Sequence, residues 1–314
     1  MRTAPARGTA IGLVLVGIAS VQFGAGVAKN LFDEISPTAL VWLRLATSSL
    51  VLLAMARPRL AGRDRTDWLT VLGFGLSLGL MNWSIYQSFS RIPIGIAVTI
   101  EFIGPLAVAV FGSRRPRDFI WVGLAGVGVL LLGAERADLD PVGVAFAIVA
   151  GASWAGYILL SAHTGRRWEG LDGLAVASVV AAVLLTPALV DVDRHPLADP
   201  RIVLLAALVG LLSSVIPYSC EMVALRRLRP SLFGVLMSLE PAAAALAGLL
   251  IVGEHLTVVQ WTAVGCVVVA SVGATRFAAP TDPTYTTGSD DAKGRHGPTE
   301  QAEPTGPTPP PAAG

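Results

Sequence analysis

Three glutamates, Glu101, Glu221 and Glu240, and one arginine, Arg44, stand inside stretches that are otherwise almost wholly apolar. A bare charge in hydrocarbon costs about 2.5–3.5 kcal/mol on insertion scales. Such groups therefore face a protein interior or a wet cavity, and they mark ion or substrate pathways. Together these residue types can hold a zwitterion, the guanidinium taking a carboxylate and a glutamate taking an ammonium. A carboxylate kept from water can also shed its charge by binding a proton, which would couple proton entry to substrate exit. Each group has a structural alternative. Glu101 and Glu240 can bond neighbouring helices, Arg44 can serve as counter-ion to Glu101, and Glu221 can snorkel or pair with Arg226.

Their neighbours fall on shared helix faces. Gln22, Gly26 and Lys29 follow i, i+4, i+7 spacing, and Thr47 and Ser48 lie beside Arg44. In "MNWSIYQ", Asn82 and Tyr86 are four apart; Trp154, Tyr157 and Ser161 share a face; Ser214, Tyr218 and Glu221, or Pro217 and Glu221, stack in "SSVIPYSCE". Positions three and four apart present their polar atoms to one side. The candidate substrate- or proton-binding set is therefore Glu101, Glu240, Arg44, Gln22, Asn82, Tyr86, Tyr157, Tyr218 and Glu221. Lys29, at the end of its apolar run, reads as a residue snorkelling to the interface. Pro105, Pro217 and Pro241 each remove a backbone N–H inside an apolar run and free a carbonyl, which makes them hinge candidates.

The elements that must position these groups follow from composition. The 314 residues are 53% hydrophobic and 14% charged, with mean hydropathy +0.65, against about 25% charged in soluble domains. Charge is gathered into short clusters such as "RPRLAGRDRTD" and "SRRPRD". Between them run apolar stretches of about 17–25 residues, the length of a membrane-crossing helix. Ten spans are expected, at 9–28, 37–56, 68–89, 94–112, 118–134, 141–162, 171–190, 202–224, 231–252 and 257–275. The Pro-, Gly- and Thr-rich residues 277–314 have no apolar period and read as a disordered cytoplasmic tail. A net charge of +1 gives no case for nucleic acid. Cys220 and Cys266 read as packing residues; no metal, cofactor or disulfide pattern is seen, nor HExxH or GxSxG, so an enzyme is not expected. The glycine-rich runs follow no strand and read as close helix packing, not phosphate loops.

Lysines and arginines give the orientation. With the N-terminus in the cytoplasm, 15 of the 23 fall on the cytoplasmic side and 5 on the outer side. Both termini are therefore expected inside a plasma (inner) membrane.

The halves also resemble each other. Ser20, Gly75, Arg91 and Glu101 recur as Ser153, Gly210, Arg226 and Glu240, and Trp121 and Gly133 recur as Trp261 and Gly273. Five spans per half is odd, so the second half enters the membrane upside down, an arrangement common in secondary transporters. The expected fold is all-α, a polytopic membrane protein of ten transmembrane helices in two inverted five-helix repeats, 1–138 and 139–276.

"SLEPAAAALAGLLIVGEHLTVVQWTAVGCVVVASVG", with Leu-Glu-Pro at Leu239–Pro241 and Gly-Glu at Gly253–Glu254, resembles the C-terminal helix pair of the EamA branch of the drug/metabolite transporter superfamily. The resemblance covers about residues 9–276. It implies proton-driven efflux of small amino acids or related metabolites, and it supports Glu101, Glu240 and Glu254 as matched positions. Arg44 has no partner in the second half, where Ser178 falls, so an asymmetric cavity is expected. The expected partners are a small-molecule substrate, protons and the lipid bilayer. The alternative is a facilitator or exporter of another metabolite or drug without proton coupling.

Overall fold

The computed structural model describes residues 7–113, 119–134, 139–193, 195–225, 228 and 230–277. The tail from Ala278, the arginines at 114, 115 and 117, and those at 226, 227 and 229 lie outside the described residues.

All described elements are helical. The first five expected spans are α1 (Arg7–Asn30), α2 (Pro37–Ala56), α3 (Arg65–Phe89), the broken pair α4 (Ile94–Glu101) and α5 (Ile103–Ser113), and α6 (Phe119–Ala134). The next three are α7 (Pro141–Gly165), α8 (Asp172–Leu185), and α9 (Pro200–Gly210) running through a wide π-type turn into α10 (Ile216–Leu225). The last two are the broken pair α11 (Pro230–Met237) and α12 (Glu240–Ala247), and α13 (Val258–Phe277). Among the described residues nine helical stretches are long and apolar enough to cross a membrane. The remaining span, α6, has 16 residues and is about 24 Å long.

Local chemistry sets the ends. Three helices start at Ser-Pro or Asp-Pro: the Ser36, Asp140 and Asp199 side chains accept from Ala39, Val142 and Arg201 N–H, and Pro37, Pro141 and Pro200 follow. The side chain satisfies an orphan donor, and proline fills the first-turn position that needs none. Asp64 and Asp67 form a reciprocal cap on α3.

The breaks fall at the glutamates. Pro105 cannot donate to the Glu101 carbonyl, and the helix interrupts at Phe102. Pro241 likewise frees the Met237 carbonyl, and Ser238–Leu239 leave the helix just before Glu240. The first break is backed by a backbone crossing of α5 on α7. A Cβ on Gly104 would collide with the Gly151 carbonyl, and one on Gly151 would stand 2.6 Å from the Glu101 carbonyl. Gly104→Ala is therefore expected to destabilise by about 1–3 kcal/mol. Gly123→Ala, whose added Cβ meets nothing within 4 Å, should gain up to about 1 kcal/mol. Thermal unfolding in detergent reads both.

α3 packs on α7 and α8, α2 on α8 and α9, α1 on α10, α11 and α12, α4 on α7 and α12, α5 on α7, and α6 on α13. The apolar core is uneven. At the end carrying Lys29, one continuous cluster joins α1, α2, α3, α4, α7, α8, α9, α12 and α13, including Ile35, Leu40, Ile92 and Ile94 at 2% exposure or less. At the opposite end, carrying Arg167, the core is three separate clusters. One is Phe102, Leu106 and Val110 with α6 and α13; the second is Ala10, Val14 and Ile18 with Ala224 and Leu228; the third is Val71 and Phe74 with Trp168 and Val176.

Candidate functional site

One cavity of about 210 Å³ gathers the intramembrane charges. A single water needs about 10–15 Å³ on this scale, so the space holds a small solute. Arg44, Glu101, Glu221 and Glu240 all line it. So do Gln22, Asn82, Tyr86 and Tyr157 among the expected residues. The Tyr218 side chain and Arg226 lie outside the described residues. Of the three hinge candidates only Pro217 lines the cavity; Pro105 and Pro241 stand at the helix breaks.

The cavity lining is buried toward the Lys29 end and partly exposed elsewhere. Gln22, Asn82, Ile85, Tyr86, Phe89 and Val98 are buried. Met81, Trp154, Glu221 and Met237 are half-exposed. Above Tyr86 sit Phe32, edge-on at 6.1 Å, and Phe89 at 5.7 Å, an aromatic roof. Trp154 stands edge-on to Phe102 at 5.3 Å, so its ring packs on the break in the fourth span. The Tyr157 ring lies 5.2 Å from Phe74.

Arg44 is held without a carboxylate partner. Among the described residues no acid lies within 4.0 Å of its guanidinium. It lies instead over the Tyr86 ring, 5.2 Å from the centroid, a cation–π contact. Its Nη2 donates to the Ser213 carbonyl at 3.4 Å. That carbonyl is free because its helical donor would be the N–H of Pro217, which does not exist. The π-type turn Leu211–Val215 frees a second carbonyl, since Ile216 N–H bonds Leu211. The Leu212 oxygen is then taken by Ser20 Oγ at 2.6 Å. Arg44 makes no direct ion pair with Glu101: the guanidinium is fixed by a ring and a carbonyl, and its charge acts on Glu101 through space. Glu240 feels Glu221 and Glu101, both acids. Asn82 Nδ2 donates to the Leu78 carbonyl of its own helix at 2.8 Å.

Lys29 does not snorkel. Its Nζ meets Glu254 Oε1 at 2.5 Å and the Ile92 carbonyl at 2.8 Å, and Glu254 Oε2 accepts from Ile94 N–H at 2.9 Å. The local cause is Gly253, whose φ of 79° turns the chain left-handed. Glu254 then folds back against Gly248, where a Cβ would strike its carboxylate. This buttress ties α1, the start of α4 and the chain after α12 above the buried end of the cavity.

Sequence reasoning missed the Ser213 and Leu212 carbonyls and Ser20 as parts of the site. Pro217 was the available signal, because the carbonyl it frees is four residues earlier. The Lys29–Glu254 pair left no local signal.

Residues 141–276 match the EamA-like transporter family. The chain is 42% identical over 266 residues to the threonine/homoserine exporter RhtA of Escherichia coli strain K12, covering 84% of this chain and 90% of that protein. RhtA of Salmonella typhimurium strain LT2 gives the same figures. The uncharacterized transporter YwfM of Bacillus subtilis strain 168 is 32% identical over 174 residues, 54% of this chain and 58% of that one. One solved crystal structure superposes with a TM-score of 0.59 at 18% identity, over 85% of this chain and 97% of the other, a likeness of fold.

Proposed function

Because this chain belongs to the EamA-like transporter family, we propose that it is a secondary active exporter of a small zwitterionic amino acid, of the threonine or homoserine kind, working by proton antiport and alternating access. One observation carries the reading: Arg44, Glu101, Glu221 and Glu240, the charges set well inside the spans, all line the same cavity. Arg44 takes the substrate carboxylate. Glu101, the acid within reach of the Arg44 field, takes the ammonium. Glu240, on which the acids Glu221 and Glu101 act, carries the proton. Three carboxylates face one guanidinium, so the cavity carries excess negative charge unless protons enter it. The names of the RhtA relatives support an amino-acid substrate.

Alternating access is supported by the uneven core. The Lys29 end is one packed body, whereas the Arg167 end is three clusters that can separate or close. The 15-to-5 excess of lysine and arginine supports an orientation with the Arg167 end, and both termini, on the cytoplasmic side of the inner membrane. The buried side of the cavity then faces outward, as it must in an exporter awaiting substrate. Two repeats, 1–138 and 139–276, are supported by the packing. Exchanging spans one to five with six to ten turns α3–α7 into α10–α1 and α3–α8 into α9–α2. The same exchange maps α2–α8, α4–α12 and α6–α13 onto themselves. Each half also breaks its fourth span beside a glutamate.

On this reading Lys29–Glu254 is an outer latch that must part once per cycle. Lys29→Met leaves the half-buried Glu254 without its cation, and a partly buried group left unsatisfied costs about 1–3 kcal/mol. Export should fall at least tenfold, and the swap Lys29→Glu with Glu254→Lys should recover part of it. Unchanged export by Lys29→Met would remove the latch from the cycle.

The test of function is transport by the purified protein in liposomes, with and without a pH gradient, offering threonine, homoserine, an aromatic amino acid and a cationic dye. Gradient-driven movement of threonine or homoserine supports the reading. Movement that ignores the gradient, or movement of the dye alone, replaces it with a facilitator or a drug exporter.

A further inference from the structure

Two residues of the cavity wall each carry a buried polar atom with no hydrogen-bond partner: the Tyr86 hydroxyl, on a residue 2% exposed, and Gln22 Oε1, on a residue 3% exposed. Arg44 Nε is a third. Buried polar groups are nearly always satisfied, so three orphans on one cavity point to something that satisfies them when bound. Their chemistry restricts that something. Arg44 Nε only donates and wants an anion or another acceptor. Gln22 Oε1 only accepts, and Tyr86 does both. A carboxylate would serve Arg44 and Tyr86 but be repelled by Gln22 Oε1. An ammonium would serve Gln22 but meet the Arg44 charge. A hydroxyl accepts from Tyr86 O–H and donates to Gln22 Oε1.

We propose that Gln22 and Tyr86 are specificity-determining residues that read a side-chain hydroxyl on the amino acid whose carboxylate Arg44 holds. This rests on the transport reading above. The guanidinium lies on the Tyr86 ring at 5.2 Å, so the carboxylate and hydroxyl positions are adjacent, as they are in a short hydroxylated amino acid. Ala25, Ile85 and Val98 supply the apolar wall for its carbons.

Threonine and valine make the test, because they share a shape and differ by hydroxyl against methyl. Competition between the two is measured for the purified full chain in liposomes, and by thermal shift in detergent, for wild type, Tyr86→Phe and Gln22→Met. A site built to bond a hydroxyl rejects the analogue lacking it, because its own polar groups are then left unpaired. Wild type should prefer threonine by at least roughly 30-fold. Each variant should lower the threonine-to-valine ratio roughly fivefold to a hundredfold. A ratio unchanged in both variants, or a wild type that takes valine as readily as threonine, overturns the assignment and leaves the transport reading intact. A wild type that binds and moves neither amino acid overturns both.

Discussion

Glu240→Gln is expected to abolish gradient-driven accumulation while leaving exchange of substrate for substrate. A pH difference of one unit is worth about 1.36 kcal/mol per proton, so wild type should concentrate threonine up to about tenfold per exchanged proton. Glutamine keeps the shape of glutamate but cannot release a proton in this range. With it in place, the accumulation ratio should fall to about one. The Glu101→Gln variant should behave differently. Its residue is assigned the ammonium, so both accumulation and exchange should fall. The two residues stand at matched helix breaks and have equal exposure, 7% each, so burial alone does not separate them. What separates them is charge: Arg44 acts on Glu101, while the charges acting on Glu240 are the acids Glu221 and Glu101. If both variants accumulate threonine as wild type does, the coupling role is gone from both.

Arg44→Met is expected to weaken threonine binding roughly 30-fold to several thousand-fold, the range for truncating one member of a buried charge pair. Arg44→Lys should recover little. Lysine keeps the charge but lacks the planar fork that matches a carboxylate, stacks on Tyr86 and reaches the Ser213 carbonyl. The control is the amine left when threonine loses its carboxylate. Its binding should not weaken in either variant, since it has nothing for Arg44 to hold. Equal losses for the amine and for threonine would make Arg44 a structural residue of the α2–α9 contact, where it packs against Gly210.

The parts of this architecture legible from the residues were those fixed by the solvent. Hydrocarbon sets span length, so nine spans were readable from apolar runs and the tenth from a shorter one. Hydrocarbon also leaves Arg44, Glu101, Glu221 and Glu240 only an inward direction, which is why their convergence on one cavity was foreseeable. Pro105 and Pro241 forecast the breaks in the fourth and ninth spans. Other features depend on partners far apart in the chain. The fate of Lys29 turned on Glu254, carried back by the left-handed Gly253. Ser20 found the Leu212 carbonyl only because a π-type turn had freed it. The contrast between one core cluster at the Lys29 end and three at the other is a property of the assembled bundle, and no single helix pattern contains it.

The most direct measurement of proton–substrate exchange is proton movement driven by substrate alone. Liposomes carrying the purified full chain are filled with weak buffer and a pH-sensitive dye, with no imposed gradient, and threonine is added outside. Exchange predicts that threonine enters as protons leave. The interior then turns alkaline in wild type and stays unchanged in Glu240→Gln. Threonine entry by wild type with no change in interior pH, or the same alkaline shift in Glu240→Gln, would contradict it.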